Sequence, residues 1–248
     1  MSGTAADAAL DVAVQEAAGS VDGWVAAAFA VVEGVREQVL EAAALAAVKG
    51  RPLRVSDVAG LDKLLRSHLA EPHRPRLAGV GFIPAVGALS DRPRGLEWAR
   101  RAPDGTVTRL EPDLDPDSLG YYDFTATDWF RRPLATGTRS VVGPYVDVSG
   151  TDEYVVTLTV PVAHSGRALG VCGADLRLGD LSDVMMPAVR GLDGDAALVN
   201  ADDRVMVSSS PRWLVGSLLH EGDPLLTRRC RLAPWRVVVH EGRYGDPG

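Results

Sequence analysis

The chain has 248 residues, of which 46% are hydrophobic and 24% charged, a composition typical of globular proteins. This length allows one large or two small domains with a sizeable core, and the composition excludes disorder for most of the chain. The 26 basic and 33 acidic residues give a net charge of −7, and no run of basic residues is longer than an arginine pair. We therefore expect no nucleic-acid partner, because phosphate binding needs clustered lysines and arginines.

The N-terminal segment has neither the pattern of a signal peptide nor that of a membrane-spanning helix. Residues 1–10 contain no basic residue, and the longest nearly apolar run, Trp24–Val32, is too short to cross a bilayer. The two cysteines, Cys172 and Cys230, are too few for a disulfide framework and are expected in the core. With Met1 read as a natural start, these features predict a cytoplasmic protein without a membrane span, unless an upstream segment is missing.

The first predicted element is a long helix over residues 11–49, and a short helix over residues 58–70 follows it. Small and β-branched residues recur along the long helix at alternating steps of four and three. They form a seam of Val14, Ala18, Val21, Val25, Ala28, Val32, Val35, Val39, Ala42 and Ala46. Such a helix must pack on a partner, which is either its own domain or the twin helix of a homodimer.

From residue 77 the apolar pattern changes to that of strands. Strands are predicted over residues 77–83, 96–101, 106–110, 139–146, 154–163 and 168–176, then a helix over 181–189 and strands over 195–200, 204–208 and 231–240. Runs of strands without alternating helices indicate an α+β fold with antiparallel sheets. We expect an N-terminal helical region over residues 1–76, a first β lobe over 77–179, and a linking helix with a short second lobe over 180–248.

The sequence offers little for catalysis or metal binding. Motifs of nucleotide binding, serine hydrolysis, zinc binding and thiol redox chemistry are missing. Asp113, Asp115 and Asp117 alternate like the start of a calcium loop, but the later glycine and glutamate of such a loop are missing, so we predict a solvated acidic loop. We therefore predict no catalytic residue, no metal site and no cofactor.

Aromatic and acidic residues cluster in the predicted first lobe. They are Tyr121, Tyr122, Trp129, Phe130, Tyr145 and Asp147, together with Asp175, which ends an otherwise apolar strand beside Gly173. One interpretation is ordinary core aromatics and a capping carboxylate. The other is a site for an ammonium group, which aromatic faces attract and carboxylates bind by charge-assisted hydrogen bonds. On that interpretation, an amine of the ligand lies near Asp175 or Asp147.

Several segments resemble Cache sensor domains, which are PAS-like ligand-binding modules of receptors. Residues 122–137 (YDFTATDWFRRPLATG) resemble the aromatic loop and short helix of that family, and residues 143–147 (GPYVD) are similar to its P-Y-x-D strand. Residues 155–162 and 170–176 look like its paired core strands ending in G-V-x-G-x-D, and residues 197–205 with 214–216 resemble the start of its second module. The resemblance covers residues 77–240 and points to the double type, in which a long N-terminal helix runs along two PAS-like lobes.

This resemblance implies a small-molecule sensor of signal transduction or transcriptional regulation, and not an enzyme. It implies that the first lobe binds an amine, amino acid or carboxylate through Tyr122, Trp129, Tyr145, Asp147 and Asp175. The amino-acid-binding version of the family has an arginine two places before the tryptophan and a tyrosine after it, where this chain has Thr127 and Phe130. An α-amino acid is therefore expected to bind poorly, unless another arginine reaches it from Arg131, Arg132 or Arg139.

The expected partner is a small-molecule ligand. A second copy of the chain bound through the N-terminal helix and a separate regulator or signalling protein are further candidate partners. Three alternatives stay open: a structural dimerisation module that binds no ligand, an enzyme on a PAS-like scaffold, and a domain of a longer membrane receptor. A ligand in the first lobe distinguishes a sensor from a scaffold, and turnover of that ligand distinguishes an enzyme from a sensor.

Overall fold

The structure, a computed structural model, describes residues 3–70, 75–147, 154–192, 194–219 and 226–240. The helices are α1 (Gly3–Val48), α2 (Val55–Val58), α3 (Leu61–Ala70), α4 (Asp128–Thr136) and α5 (Leu178–Arg190), with a 3-10 turn, η1 (Phe124–Ala126). The strands are β1 (Gly79–Pro84), β2 (Glu97–Arg101), β3 (Val107–Arg109), β4 (Ser140–Val146), β5 (Tyr154–His164), β6 (Arg167–Arg177), β7 (Asp195–Val199), β8 (Val205–Ser208), β9 (Leu226–Arg229) and β10 (Arg236–His240).

The strands form two antiparallel sheets, which confirms the predicted fold class. The first sheet has the order β3-β2-β1-β6-β5-β4 and the second, shorter one has the order β8-β7-β10-β9. The first sheet belongs to a compact larger unit, Ala27–Arg177, and the second to a smaller unit made of Met1–Ala26 and Leu178–Gly248. The predicted lobe boundaries at residues 76 and 179 stay a prediction.

The seam of α1 is buried within the chain's own fold. Its valines from Val14 to Val39 are fully inaccessible to solvent, and of the seam only Ala42 is half-buried. In the larger unit, the Arg36 side chain of α1 also donates through Nε to the carbonyl oxygen of Pro161 on β5, at 3.1 Å. This seam therefore packs on the chain's own fold, and the predicted homodimer through the N-terminal helix stays a prediction.

The sheet of the larger unit has two chemically different faces. Along β6, Cys172, Ala174 and Leu176 are fully buried and alternate with Val171, Gly173 and Asp175, which lie on the other face. In the register of the sheet, Gly79 lies opposite Asp175 and Gly81 opposite Gly173. The second face therefore carries small residues and a carboxylate in the middle of the sheet, and this face holds the site described below.

Three elements differ from the sequence prediction, and one of them, strand β9 (Leu226–Arg229), was not predicted at all. The helix expected over residues 58–70 is divided into α2 and α3 by a turn at Ala59 and Gly60. The strand expected over residues 231–240 begins only at Arg236, because residues 230–235 form a turn closed by the Cys230 amide and the Trp235 carbonyl at 2.9 Å. The buried Asp22 carboxylate holds this turn by accepting from the amides of Arg231 and Leu232 at 2.8 and 2.9 Å.

Candidate functional site

All five residues predicted for the ligand site line one cavity of the larger unit. Its walls are Ile83, Leu96, Trp98, Leu110, Tyr122, Trp129, Tyr145, Asp147, Thr157 and Asp175. The enclosed part of the cavity has a volume of about 20 Å³. The volume that includes the open entrance is about 320 Å³. The enclosed part holds roughly one water molecule, so a larger ligand must occupy the mouth or move a wall. That these residues bind a ligand stays a prediction.

A chain of hydrogen bonds fixes the orientation of Asp175. The β5–β6 register places Thr157 directly opposite Asp175, and the Thr157 hydroxyl donates to Oδ1 of Asp175 at 2.7 Å. The Tyr145 hydroxyl lies 2.7 Å from the same threonine oxygen. Because a threonine hydroxyl has one proton, which is already donated to Asp175, the Tyr145 hydroxyl is the donor in this second bond. Asp175 is 8% exposed, so this buried carboxylate is held in one rotamer.

An irregular edge strand brings Tyr145 and Asp147 to the cavity. Strand β4 is at the edge of the sheet, and its pairing with β5 shifts between Val142 and Tyr145. The two residues in this bulge are Gly143 and Pro144, and an edge bulge is where a strand tolerates a proline. Gly143 has φ +124°, and a Cβ there would lie 2.8 Å from the carbonyl oxygen of Val155. The bulge therefore requires glycine and sets the direction of Tyr145.

Trp129 is held against the sheet through a carbonyl that its own helix leaves free. Pro133 lies inside α4 and has no amide proton, so the Trp129 carbonyl lacks its usual helical donor. The Thr159 hydroxyl on β5 donates to that carbonyl at 2.8 Å. Trp129 also packs edge-to-face on Phe130, with ring centroids 6.1 Å apart. These contacts fix the tryptophan as one wall of the cavity.

The cavity is electronegative. Burial raises the pKa of Tyr122 and of Tyr145, and the carboxylates of Asp147 and Asp175 raise both further, so both phenols stay protonated. Within the described part of the chain, no lysine or arginine lines this cavity. Carboxylates and aromatic ring faces are the groups that attract a cation, and the described lining has two acids and four aromatic rings.

None of the three arginines considered as a replacement carboxylate clamp reaches the cavity. Arg131 and Arg132 are exposed and line a separate surface hollow, and Arg132 pairs with Asp128 at 2.6 Å. Arg139 lies over the ring of Phe29, with its guanidinium carbon 5.0 Å from the ring centroid. The site therefore has no counterpart of that clamp among the described residues.

Trp98 was not predicted as a site residue, and its indole lies across three glycines of the sheet. A Cβ built on Gly79, Gly81 or Gly173 would come within 2.5, 2.8 or 3.4 Å of ring atoms of Trp98. The space predicted beside Asp175 at Gly173 is therefore occupied by this ring. Glycines at neighbouring cross-strand positions were the available signal, because they leave a flat surface on which a large ring can lie.

The acidic loop shows no sign of a metal site. The carboxylate of Asp113 accepts from the Asp115 amide at 3.1 Å, and that of Asp115 accepts from the Asp117 amide at 3.0 Å. These bonds stabilise the turns of the loop itself. Over the described ranges, no group of three or more histidine, cysteine, aspartate or glutamate side chains is placed to hold an ion.

Comparison with known proteins connects this site to chemoreceptors. Residues 104–183 match the family model described as methyl-accepting chemotaxis protein-like, first PDC sensor domain. The chain is 25% identical over 147 residues to the methyl-accepting chemotaxis protein TlpQ of Pseudomonas aeruginosa, a match that covers 57% of this chain and 21% of that protein. The match thus spans about a fifth of the length of this relative.

Solved structures of chemoreceptor domains share the fold. The ligand-binding domain of Campylobacter jejuni Tlp3 in complex with L-valine has a TM-score of 0.65 at 13% identity, covering 96% of this chain and 92% of that one. The ligand-binding domain of P. aeruginosa PctC in complex with GABA has a TM-score of 0.56 at 21% identity, covering 91% and 95%. The resemblance to double Cache-type sensor domains is confirmed.

The predicted cytoplasmic location and the predicted absence of a membrane span are wrong. The relatives are chemotaxis receptors, and the extracellular domain of the histidine kinase soHK1S-Z6 has a TM-score of 0.63 to this chain at 15% identity, covering 93% and 91%. Helix α1 is also long and apolar enough over Ala8–Val48 to cross a membrane, although half of its apolar window is buried within the fold. The sequence analysis went wrong by considering only the uninterrupted run Trp24–Val32.

Proposed function

We propose that this double Cache-type sensor domain binds a small primary amine in the cavity of residues 77–179. Like its relatives, the chain is a sensor domain of signal transduction. The finer assignment has one main support: Asp147 and Asp175 meet four aromatic rings in one cavity that no described lysine or arginine lines. An ammonium group gains from both features, through charge-assisted hydrogen bonds and cation–π attraction.

The ligands of the similar structures agree with this charge preference in part. L-valine and GABA, bound by the Tlp3 and PctC domains, each carry an ammonium and a carboxylate group. In this chain the ammonium group has acidic partners, whereas a carboxylate group would meet Asp147 and Asp175 in a cavity that no lysine or arginine lines within the described ranges. A like charge near a buried carboxylate is unfavourable, so amines without a carboxylate should bind better than amino acids.

We place the site outside the cytoplasm, in a receptor attached to a membrane. Support comes from the extracellular location of the soHK1S-Z6 domain and from the chemotaxis receptors among the relatives. The ligand would then act by shifting the sensor between two conformations, and it can do so only to the extent that it binds one of them better. The small enclosed volume is consistent with such a shift, because a ligand of several atoms must displace a wall of the cavity.

The test is a thermal-unfolding titration of the whole chain with three small molecules of similar size and different charge. They are n-propylamine, 1-propanol and propionate. The proposal predicts stabilisation by the amine alone, of about 2.7 kcal/mol at a concentration 100 times its dissociation constant. Stabilisation by propionate rather than by n-propylamine would refute the proposal, as would the absence of any amine effect up to high millimolar concentration.

The second candidate function is that of an enzyme built on this scaffold, which must be distinguished from a sensor. The matching family and the relatives are sensors, and the cavity contains carboxylates and phenols without a nucleophile–base pair among the described residues. Incubation of the bound amine with the chain, followed by mass analysis, should return the amine unchanged. A time-dependent product would identify an enzyme instead.

A further inference from the structure

The indole nitrogen of Trp98 is buried at the cavity wall without a hydrogen-bond acceptor. Trp98 is 4% exposed, and its Nε1 has no hydrogen-bond partner among the described residues. Buried polar groups are normally paired, because an unmade hydrogen bond loses the solvation that water would provide. The cavity that Trp98 lines is therefore the place where an acceptor is missing.

The unsatisfied N–H and Asp175 converge on one point of the cavity wall. A Cβ built on Gly79 would lie 2.5 Å from Nε1 of Trp98 and 3.2 Å from Oδ2 of Asp175. The two atoms are therefore at most 5.7 Å apart, the sum of these distances, and one oxygen atom with a hydrogen bond of about 2.9 Å to each can span that separation. Oδ1 of Asp175 accepts from Thr157, and Oδ2 is the oxygen that lies nearer to Trp98.

The chemistry of that atom is restricted by its two neighbours. An ammonium group is a donor only, so it cannot satisfy the Trp98 N–H. A carboxylate group can accept from Trp98, but it is repelled by Asp175. A hydroxyl group accepts from the indole N–H and donates to the carboxylate at the same time.

We propose that Trp98 selects ligands with a hydroxyl group beside the amine, so that the ligand class of this site is small amino alcohols. The hydroxyl group bridges Trp98 and Asp175, and the ammonium group lies near Asp147 and the faces of Tyr122 and Trp129. This inference rests on the proposed amine-binding function and adds a specificity-determining residue to it. A bound water molecule has the same bridging chemistry, and the experiment separates the two sources.

The test compares ethanolamine with n-propylamine, which have the same number of heavy atoms and differ in a hydroxyl in place of a methyl group. Calorimetric titration of the whole chain should give a dissociation constant about tenfold lower for ethanolamine, the size of one hydrogen bond to a charged group. In Trp98→Phe this preference should fall severalfold. Trp213→Phe is the matched control, because its indole nitrogen is also buried without a partner but lies in the smaller unit, and it should keep the full preference.

A second measurement does not depend on the folding of any variant. In the nitrogen–proton spectrum of the wild-type chain, ethanolamine should move the Trp98 indole proton downfield, whereas n-propylamine should not. Equal affinities for the two amines would overturn the inference and leave amine binding standing, as expected if a water molecule bridges the two groups. If neither amine binds, the proposed function fails and the inference fails with it.

Discussion

Replacing Asp175 by asparagine separates the charge of this side chain from its shape. The asparagine side chain keeps a carbonyl oxygen that accepts from Thr157, whose hydroxyl lies 2.7 Å from Oδ1 in the wild-type chain. What is lost is the negative charge of a carboxylate that lines the cavity and whose Oδ2 lies near Trp98. A hydrogen bond to a charged group contributes about 1.5–3 kcal/mol, so amine binding should weaken by about tenfold to 150-fold.

Calorimetric titration of the Asp175→Asn variant with ethanolamine and n-propylamine measures this loss. The matched control is Asp203→Asn in the smaller unit, because Asp203 is exposed, has φ +60° and can be replaced by asparagine without backbone strain. The control should bind both amines like the wild-type chain. An Asp175→Asn variant that is folded, by its circular dichroism and cooperative unfolding, and binds amines with unchanged affinity would refute the role of Asp175.

Three further predictions concern the fold around the site and its pH dependence. Gly81→Ala should lower the free energy of unfolding by about 1–3 kcal/mol or more, because the new Cβ would lie 2.2 Å from the Glu97 carbonyl oxygen, whereas Gly60→Ala, with open space at its Cβ, should not destabilise; equal denaturation midpoints would contradict this. Val32→Ala should lower that free energy by about 2 kcal/mol, because Val32 is fully buried, whereas Val12→Ala, at 58% exposure, should change it little; the reverse order in urea melts would show that the α1 seam is not core. Arg51 holds the pKa of Asp57 at about 2, below the unfolded value of about 3.9, so the stabilisation is present above pH 4 and is lost as the pH falls towards 2. Asp57→Asn should therefore flatten this part of the stability–pH curve, and an unchanged acid slope would refute the assignment.

The sequence predicts most of the fold because apolar periodicity reports burial directly. The seam valines of α1, from Val14 to Val39, recur at helical spacing and all face the core, and residues 171, 173 and 175 of β6 share one face of the sheet as predicted. The turn at residues 230–235 was missed, because it depends on the distant carboxylate of Asp22, which accepts from the Arg231 amide. Such a long-range contact leaves no local pattern.

Part of the candidate site was predicted from local sequence patterns, and the part that depends on contacts between distant segments was not. Tyr122, Trp129, Tyr145, Asp147 and Asp175 belong to recognisable segments, and the structure brings all five to one cavity. Trp98 was not predicted, because its position follows from the pairing of β1 with β2 and β6, which places three glycines under its ring. Cross-strand register of this kind is set by the whole sheet and not by the residues next to Trp98 in sequence.

The predicted location was wrong because composition alone does not separate a core helix from a membrane helix. Helix α1 passes a test for membrane spans by length and hydropathy, yet half of its apolar window is buried within the fold. Since both kinds of helix have similar composition, the sequence alone does not distinguish them. The sequence of the α1 seam also does not indicate whether the seam packs on its own chain or on a second copy. The homodimer was therefore one of two predictions that the sequence allowed.

The most direct test of amine binding in the larger unit is an amine titration followed by the indole resonances of the five tryptophans. Trp98 and Trp129 line the cavity, whereas Trp213 and Trp235 lie in the smaller unit, as does Trp24. Ethanolamine should move the indole signals of Trp98 and Trp129, identified with the corresponding phenylalanine variants, and leave the other three in place. Movement of Trp213 or Trp235 with Trp98 and Trp129 unchanged would place the ligand elsewhere and contradict the account.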